Sequence, residues 1–314
     1  MTTANTRSTL RAQKMTDTSR TALLIVNPNS RSGSAADMEE GNALLEAAGI
    51  RLIHAASHSA DETCQLIRQH RPTIDLVILG GGDGTISSAA PALYEHQLPF
   101  AILPLGTAND LARSLGMSDD LLEAFQVIAE NHRSRVNLGV VNGHYFFNAA
   151  NIGLGVRVTH ELTPEIKKQW GVFSYLAAVF AALKKHREFC ATILVDGQSH
   201  RVNSIQLAVG NGRYYGGGNV IDEYSTIDDG KLCLYSVPPL TLWELLTLAP
   251  LLRSGKQRLT DKIFTASGQR IEITTSRLRE IHADGEPVSN TPAVFEVIPE
   301  ALEVIRPKPG ERAP

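Results

Sequence analysis

An α/β domain built on a parallel sheet, followed by a mostly antiparallel β domain, is the fold class this sequence predicts. Three observations carry the expectation. From Thr21 to about Val141, short β-branched runs alternate with longer helix-like stretches, as in a parallel sheet covered by crossover helices. Each of the first four runs ends in a polar, turn-forming sequence. Beyond Asn142 the texture changes to β-branched runs separated by Gly-rich turns, which suits antiparallel strands. The 314 residues leave room for two cores, because single cores rarely keep growing beyond ~250 residues. The expected divisions are a flexible leader at 1–20, the α/β domain at 21–142, the β domain at 143–305 and a flexible tail at 306–314.

In chain order, strands are expected at Ala22 to Val26, Arg51 to Ala55, Leu76 to Leu79 and Phe100 to Leu103. Helices are expected near Ala35 to Ala48, Ala60 to His70, Ser87 to Tyr94 and Asp119 to Asn131. Pro91 interrupts the third of these, which should therefore begin late or kink. The β domain should use His144 to Ala150, Cys190 to Val195, Ile205 to Val209, Leu232 to Val237, Arg270 to Thr274 and Phe295 to Ile298. Two apolar helices interrupt it, around Trp170 to Lys185 and around Leu240 to Leu252, the second stopped or kinked near Pro250.

A 43% hydrophobic, 20% charged composition is that of an ordinary globular chain. The formal net charge of -3 supplies no basic field, so nucleic acid is not an expected partner. Cys64, Cys190 and Cys233 are odd in number and lack metal-type spacing, which fits a reducing cytoplasm. The leader has basic residues but no apolar run for secretion. The apolar segment Trp170 to Leu183 is shorter than the ~20 residues a spanning helix needs. Lys167, Lys168, Lys184, Lys185 and Arg187 flank it, so it suits either an anionic membrane surface or ordinary core packing.

Gly80, Gly81, Gly82, Asp83, Gly84 and Thr85 directly follow the third strand. Glycines here let the backbone come close to a phosphate, and successive N–H groups form an anion-binding nest. Asp83 suits Mg²⁺ or a Mg²⁺-bound water, and Thr85 offers a hydroxyl; a tight structural turn is the plainer alternative. Pro104 to Asp110 (PLGTAND) follow the fourth strand, bringing a hydroxyl, an amide and a carboxylate to the same sheet edge. Thr107 and Asp110 are equally plausible as helix caps. No GxxxxGK[ST], HRD, DFG or HExxH pattern occurs. Asn211 to Gly218 (NGRYYGGG) looks like a phosphate loop but lies in the β domain.

GGGDGT followed by PLGTAND resembles the catalytic region of diacylglycerol kinases, sphingosine kinases and their bacterial lipid-kinase relatives. The resemblance extends over most of the chain, through NPNSRSG (Asn27 to Gly33), NIGLG (Asn151 to Gly155), NGRYYGGG, the DDG of Asp228 to Gly230 and the DGE of Asp284 to Glu286. It implies a nucleotide-binding α/β domain, then a β-sandwich-like domain, with the active cleft between them. ATP is then expected against Asn27, Pro28, Asn29, Ser30 and Gly33, near Ser57, across Gly80, Gly81, Gly82, Asp83, Gly84, Thr85 and Ile86, and against Gly106, Thr107, Asn109 and Asp110. The resemblance assigns the general base to Glu286, with Asp284 beside it. DGEP taken alone would read as a β-turn.

A structural Mg²⁺ site is implied at Thr226, Asp229 and Lys231, with backbone carbonyls serving at Thr226 and Lys231. Several bacterial relatives carry an apolar residue at the Lys231 position. The implied activity is ATP- and Mg²⁺-dependent phosphorylation of a lipid hydroxyl, in the cytoplasm and peripheral to the membrane. An exposed sheet edge makes a homodimer possible. An NAD kinase shares the GGDGT-type turn but lacks PLGTAND. A non-catalytic nucleotide- or lipid-binding module would have no need of the DGE.

Overall fold

The computed structural model describes residues 20–28, 30, 35–153, 188–241, 244, 247, 250–251 and 253–308. The helix expected at Trp170 to Lys185, the site residues Asn29 and Gly33, and most of the leader and tail lie outside these residues.

Four apolar segments, β1 (Arg20–Val26), β2 (Ile50–Ala56), β3 (Leu76–Gly81) and β4 (Phe100–Pro104), pair in parallel in the order β2-β1-β3-β4. Every residue of β3 and β4 is buried, as expected of parallel strands covered on both faces. The covering helices are α1 (Ala35–Ala47), α2 (Ala60–His70), α3 (Asp83–His96) and α5 (Leu121–Glu130), and a short α4 (Asp110–Ser114) follows β4. Helix α1 packs on α5, and α2 on α3. The helix starts follow from capping: Ser59 accepts the N–H of Glu62, and Asp120 that of Glu123. In this strand order the chain reverses direction between β1 and β3. The loops after those two strands therefore flank a topological switch point, where open α/β sheets bind ligands.

The second half contributes β5 (Arg133–Val141), β6 (His144–Phe146), β7 (Ala149–Gly153), β8 (Phe189–Val195), β9 (Gln198–Ser204) and β10 (Gln206–Gly210). Then come β11 (Tyr214–Tyr215), β12 (Asn219–Val220), β13 (Leu232–Val237), β14 (Phe264–Gly268), β15 (Arg270–Thr275), β16 (Glu280–Ala283), β17 (Glu286–Asn290) and β18 (Ala293–Ile305). An antiparallel sheet in the order β14-β13-β10-β7-β16-β17 faces β18-β15-β8-β9, which continue the first sheet beyond β4. Between them Ile152, Leu207, Val209 and Leu234 meet Ile193, Ile271, Ile273 and Phe295 in a sandwich core. Each such side chain contributes roughly 1.5–3 kcal/mol by leaving water. Strand β18 belongs to both cores. Phe295 and Val297 lie in the sandwich, while Leu302, Val304 and Ile305 lie in the α/β core. An irregularity between Ile298 and Leu302, with Glu300 at φ 48, re-aims the strand between them.

Three expectations change. The third helix begins four residues early, at Asp83, and runs through Pro91, because Gly82 in extended conformation lets the second half of GGGDGT wind as the first helical turn. The strand expected over His144 to Ala150 is two strands, β6 and β7. At the break the N–H groups of Phe147 and Asn148 turn to a side chain, Asp284, instead of a neighbouring strand. Of the helix expected near Leu240 to Leu252, residues 244, 247, 250 and 251 are helical, and residues 253 and 254 continue it beyond Pro250.

Candidate active site

The GGGDGT and PLGTAND loops meet at the carboxyl edge of the parallel sheet. Asp83, the first residue of α3, accepts N–H bonds from Asp110 at 3.1 Å and Leu111 at 3.0 Å, so it caps α4 from another loop. A Cβ on Gly106 would lie 2.4 Å from the Cα of Gly82. Only glycine permits that backbone contact. Asn109, at φ 50, holds the PLGTAND turn by accepting the Gly106 N–H at 2.9 Å. Asp110 in turn accepts the N–H groups of Gly217 at 2.8 Å and Gly218 at 2.7 Å. Those glycines stand at φ 87 and 91, so the NGRYYGGG loop makes its anion nest for a protein carboxylate. Burial raises the pKa of Asp110 most; the glycine N–H groups and Arg113 oppose the rise, and the charge of Asp83 adds to it.

The DGE sequence is a hairpin turn joining β16 to β17, with Asp284 at φ 47 and Gly285 at φ 95. As geometry it is a β-turn, with Glu286 exposed at the start of β17. The Asp284 carboxylate accepts from Ser87 Oγ at 2.5 Å, from Phe147 N at 2.7 Å, and from Asn148 N and Ala149 N at 2.9 and 3.1 Å. Burial raises its pKa, against those four bonds. With both oxygens occupied by donors, Asp284 anchors the turn to α3 and to the β6–β7 link, and Glu286 is the carboxylate left facing outward.

The remaining expected residues divide by what their polar groups do. Asn27 donates its backbone N–H to Gly80 O at 3.1 Å and its side-chain amide to Thr85 Oγ1 at 3.3 Å, joining the loops after β1 and β3. Ser30 donates to Asn27 O at 2.6 Å, and Pro28 is exposed beside it. A Cβ on Gly81 would strike Thr85 at 2.6 Å, whereas one on Gly84 would meet no protein atom within 4 Å. Thr107 is exposed. Two residues face the wrong way for a ligand. Ser57 is buried, with its hydroxyl 2.7 Å from Thr63 Oγ1 and donating to Ser59 O at 3.0 Å. Ile86 sits in the core with its N–H on Gly82 O. Asp83, expected to serve a metal, already receives two backbone donors and Asn148 Nδ2 at 3.2 Å.

The N-terminus of α3 has no side-chain cap, and the glycine at position 84 has no packing reason within the protein. Both observations fit phosphate groups held by backbone N–H groups. At the DDG turn Asp229 accepts the N–H groups of Thr226 at 3.2 Å and Lys231 at 2.9 Å. Burial raises its pKa. Each Asp229 oxygen keeps a lone pair beyond its backbone bond, and a carboxylate is a hard-oxygen ligand that suits Mg²⁺, although no group of three or more His, Cys, Asp or Glu ligands occurs among the described residues.

Sequence reasoning missed Ser87 and Asn148 as site residues, and named Asn211 only as the start of NGRYYGGG. Ser87 falls one helical turn after Asp83, a spacing that puts both on one helix face. Asn148 and Asn211 are buried polar residues within or beside apolar runs (FFNAA and LAVGN), and that itself is the available signal. Asn211 donates its side-chain amide to the carbonyls of Asn137 and Phe147, at 3.2 and 2.9 Å, tying the two halves.

Comparison with known proteins agrees with this architecture. The family profile described as "Diacylglycerol kinase catalytic domain" matches residues 21–141, and "YegS C-terminal NAD kinase beta sandwich-like domain" matches 149–306. A protein of Xanthomonas euvesicatoria pv. vesicatoria named "Probable lipid kinase YegS-like" is 30% identical over 89% of this chain and 94% of its own. A "Diacylglycerol kinase" of Staphylococcus carnosus is 27% identical over 84% of this chain and 87% of its own. A crystal structure from Bacillus anthracis str. Sterne superposes with TM-score 0.77 at 27% identity, covering 92% of this chain and 97% of that one. By class, then, the chain is a lipid kinase. It belongs to the diacylglycerol kinase family, alongside the bacterial YegS-like proteins. Among the described residues no helix is long and apolar enough to cross a membrane.

Proposed function

We propose that this chain uses ATP and Mg²⁺ to phosphorylate the hydroxyl of diacylglycerol or a related lipid, acting in the cytoplasm at the membrane face. The observation that carries the reading is the Asp83 cap on α4, which clamps GGGDGT and PLGTAND together beneath one uncapped helix N-terminus. ATP with Mg²⁺ supplies the γ-phosphoryl group and its ADP leaving group. The N–H groups of the first turn of α3, with Ser30 and Thr107, hold phosphate oxygens. Glu286 accepts the proton of the lipid hydroxyl as that oxygen bonds to phosphorus. Positioning and fixed dipoles do the rest. Asp83, Asp110 and Asp284 serve by holding loops in register. Asp229, with the carbonyls of Thr226 and Lys231, would hold a structural Mg²⁺.

The test is transfer of radiolabel from ATP to a detergent-dispersed panel: diacylglycerol, phosphatidylglycerol, a sphingoid base and a prenyl alcohol, with NAD in parallel. Label in an extracted lipid supports the reading. Label in NAD alone overturns it in favour of a soluble-metabolite kinase, and label in nothing leaves a binding module.

A further inference from the structure

Helix α3 presents two polar side chains one turn apart, Asp83 and Ser87, and both reach into the second half of the chain. Asp83 Oδ1 accepts from Asn148 Nδ2 at 3.2 Å, and Ser87 Oγ donates to Asp284 Oδ2 at 2.5 Å. The second half closes the circuit itself, because the backbone N–H of Asn148 donates to Asp284 Oδ1 at 2.9 Å. Four residues from three segments thus form one hydrogen-bonded ring joining α3 to the second half, and Glu286 lies two residues beyond one member of it.

Packing alone does not account for Asn148. It is 4% exposed, and its Oδ1 meets no hydrogen-bond partner among the described residues. A buried acceptor left unsatisfied is unfavourable, so an apolar side chain of similar volume would be the better filler. The Asp83 bond is the compensation for keeping an amide there. The backbone carbonyl of Asn148 also accepts the N–H groups of Asn211 and Gly212, at 2.9 and 3.3 Å, so the same residue braces the loop that holds Asp110.

We propose that Ser87 and Asn148 are positioning residues for phosphoryl transfer: they hold the Asp284–Glu286 turn at a fixed distance from the first turn of α3, so that the base meets the acceptor hydroxyl and water is kept from the phosphorus. The inference rests on the lipid-kinase reading and on Glu286 as base. Loss of either tie lets the turn swing away from α3. Water then competes with the lipid hydroxyl for the γ-phosphorus, giving ADP and inorganic phosphate in place of ADP and phospholipid.

The experiment compares Ser87→Ala and Asn148→Ala with the wild type in detergent-dispersed lipid, reading kcat, KM for ATP, phosphate released per lipid phosphorylated, and hydrogen exchange over residues 284–290. Expected are a fall in kcat of about tenfold, KM for ATP within about twofold, and about threefold more phosphate released per lipid phosphorylated. Exchange should quicken in the hairpin and stay unchanged in β1 and β3. Wild-type kcat with an unchanged release ratio overturns the proposal, as does a parallel change in kcat and KM accompanied by general loss of thermal stability. If either alanine variant fails to fold, Ser87→Cys and Asn148→Ser, which keep volume or polarity but weaken the tie, face the same criteria. Should the wild type label no lipid, the kinase reading fails first; the exchange measurement then stands alone, and an unaltered hairpin still refutes the ring.

Discussion

Replacing Gly84 by alanine separates the stability of α3 from the phosphate binding proposed for it. Gly84 is the second residue of the helix, it has no positive φ, and a Cβ there meets no protein atom within 4 Å. Within a helix, alanine is favoured over glycine by about 0.5–1 kcal/mol, and near the start of the helix the lower figure applies. For a chain of this size that amounts to about 1 °C in Tm. The added methyl group would, however, occupy the space a phosphate oxygen needs to reach the backbone N–H groups. Binding weakened about tenfold, or 1.4 kcal/mol, is the expected consequence. Thermal unfolding and titration with a non-hydrolysable ATP analogue measure the two effects separately. The Gly106→Ala variant is the counterpart: its Cβ would lie 2.4 Å from Gly82 Cα, and overpacking against backbone costs about 1–3 kcal/mol. Wild-type nucleotide affinity in Gly84→Ala would refute phosphate binding at this turn, and a lowered Tm would refute the open geometry assigned to it.

Glu286→Gln should leave Tm unaltered, because the side chain is exposed, and should lower kcat by about 10²–10⁴; retained transfer would remove Glu286 from the mechanism. Asp110 has a folded pKa raised above its ordinary 3.8 by burial. The stability it contributes is therefore fully present below that value and lost as pH rises through the folded pKa. The wild type should accordingly lose stability relative to Asp110→Asn as pH increases from 3.8, and a difference growing in the other direction would contradict the burial argument. Comparison within the pair is required because Glu244, lowered to about 2 mainly by Lys262, contributes with the opposite sign. For the DDG turn, millimolar Mg²⁺ should raise the Tm of the wild type but not that of Asp229→Asn. An equal rise in both would place the ion elsewhere.

Much of the first half was legible because its signals are local. Leu76 to Leu79 form a buried apolar run ending in glycines, and that pattern announces a central parallel strand wherever it occurs. The same reasoning failed at β9 (QSHRVNS) and β17 (EPVSN), whose half-exposed edges impose no apolar alternation. It also missed most of β18, because the second half of that strand is recruited into a core formed by residues at the other end of the chain. Pro91 misleads for a related reason: its effect on α3 depends on how Gly82 and Asp83 start the helix, and taken locally GGGDGT has the composition of a loop.

The motifs themselves, their order, and their places at strand ends followed from the amino-acid sequence, since turn chemistry and hydrophobic period act over a few residues. Which carboxylate stays exposed and which is taken up by the protein did not. Asp83, Asp110 and Asp284 are as acidic in sequence as Glu286, yet each is occupied by donors brought from 27 to 197 residues away. Only tertiary folding decides that, because the role of a charged group is set by the partners that reach it, and those partners are assembled by the packing of distant segments.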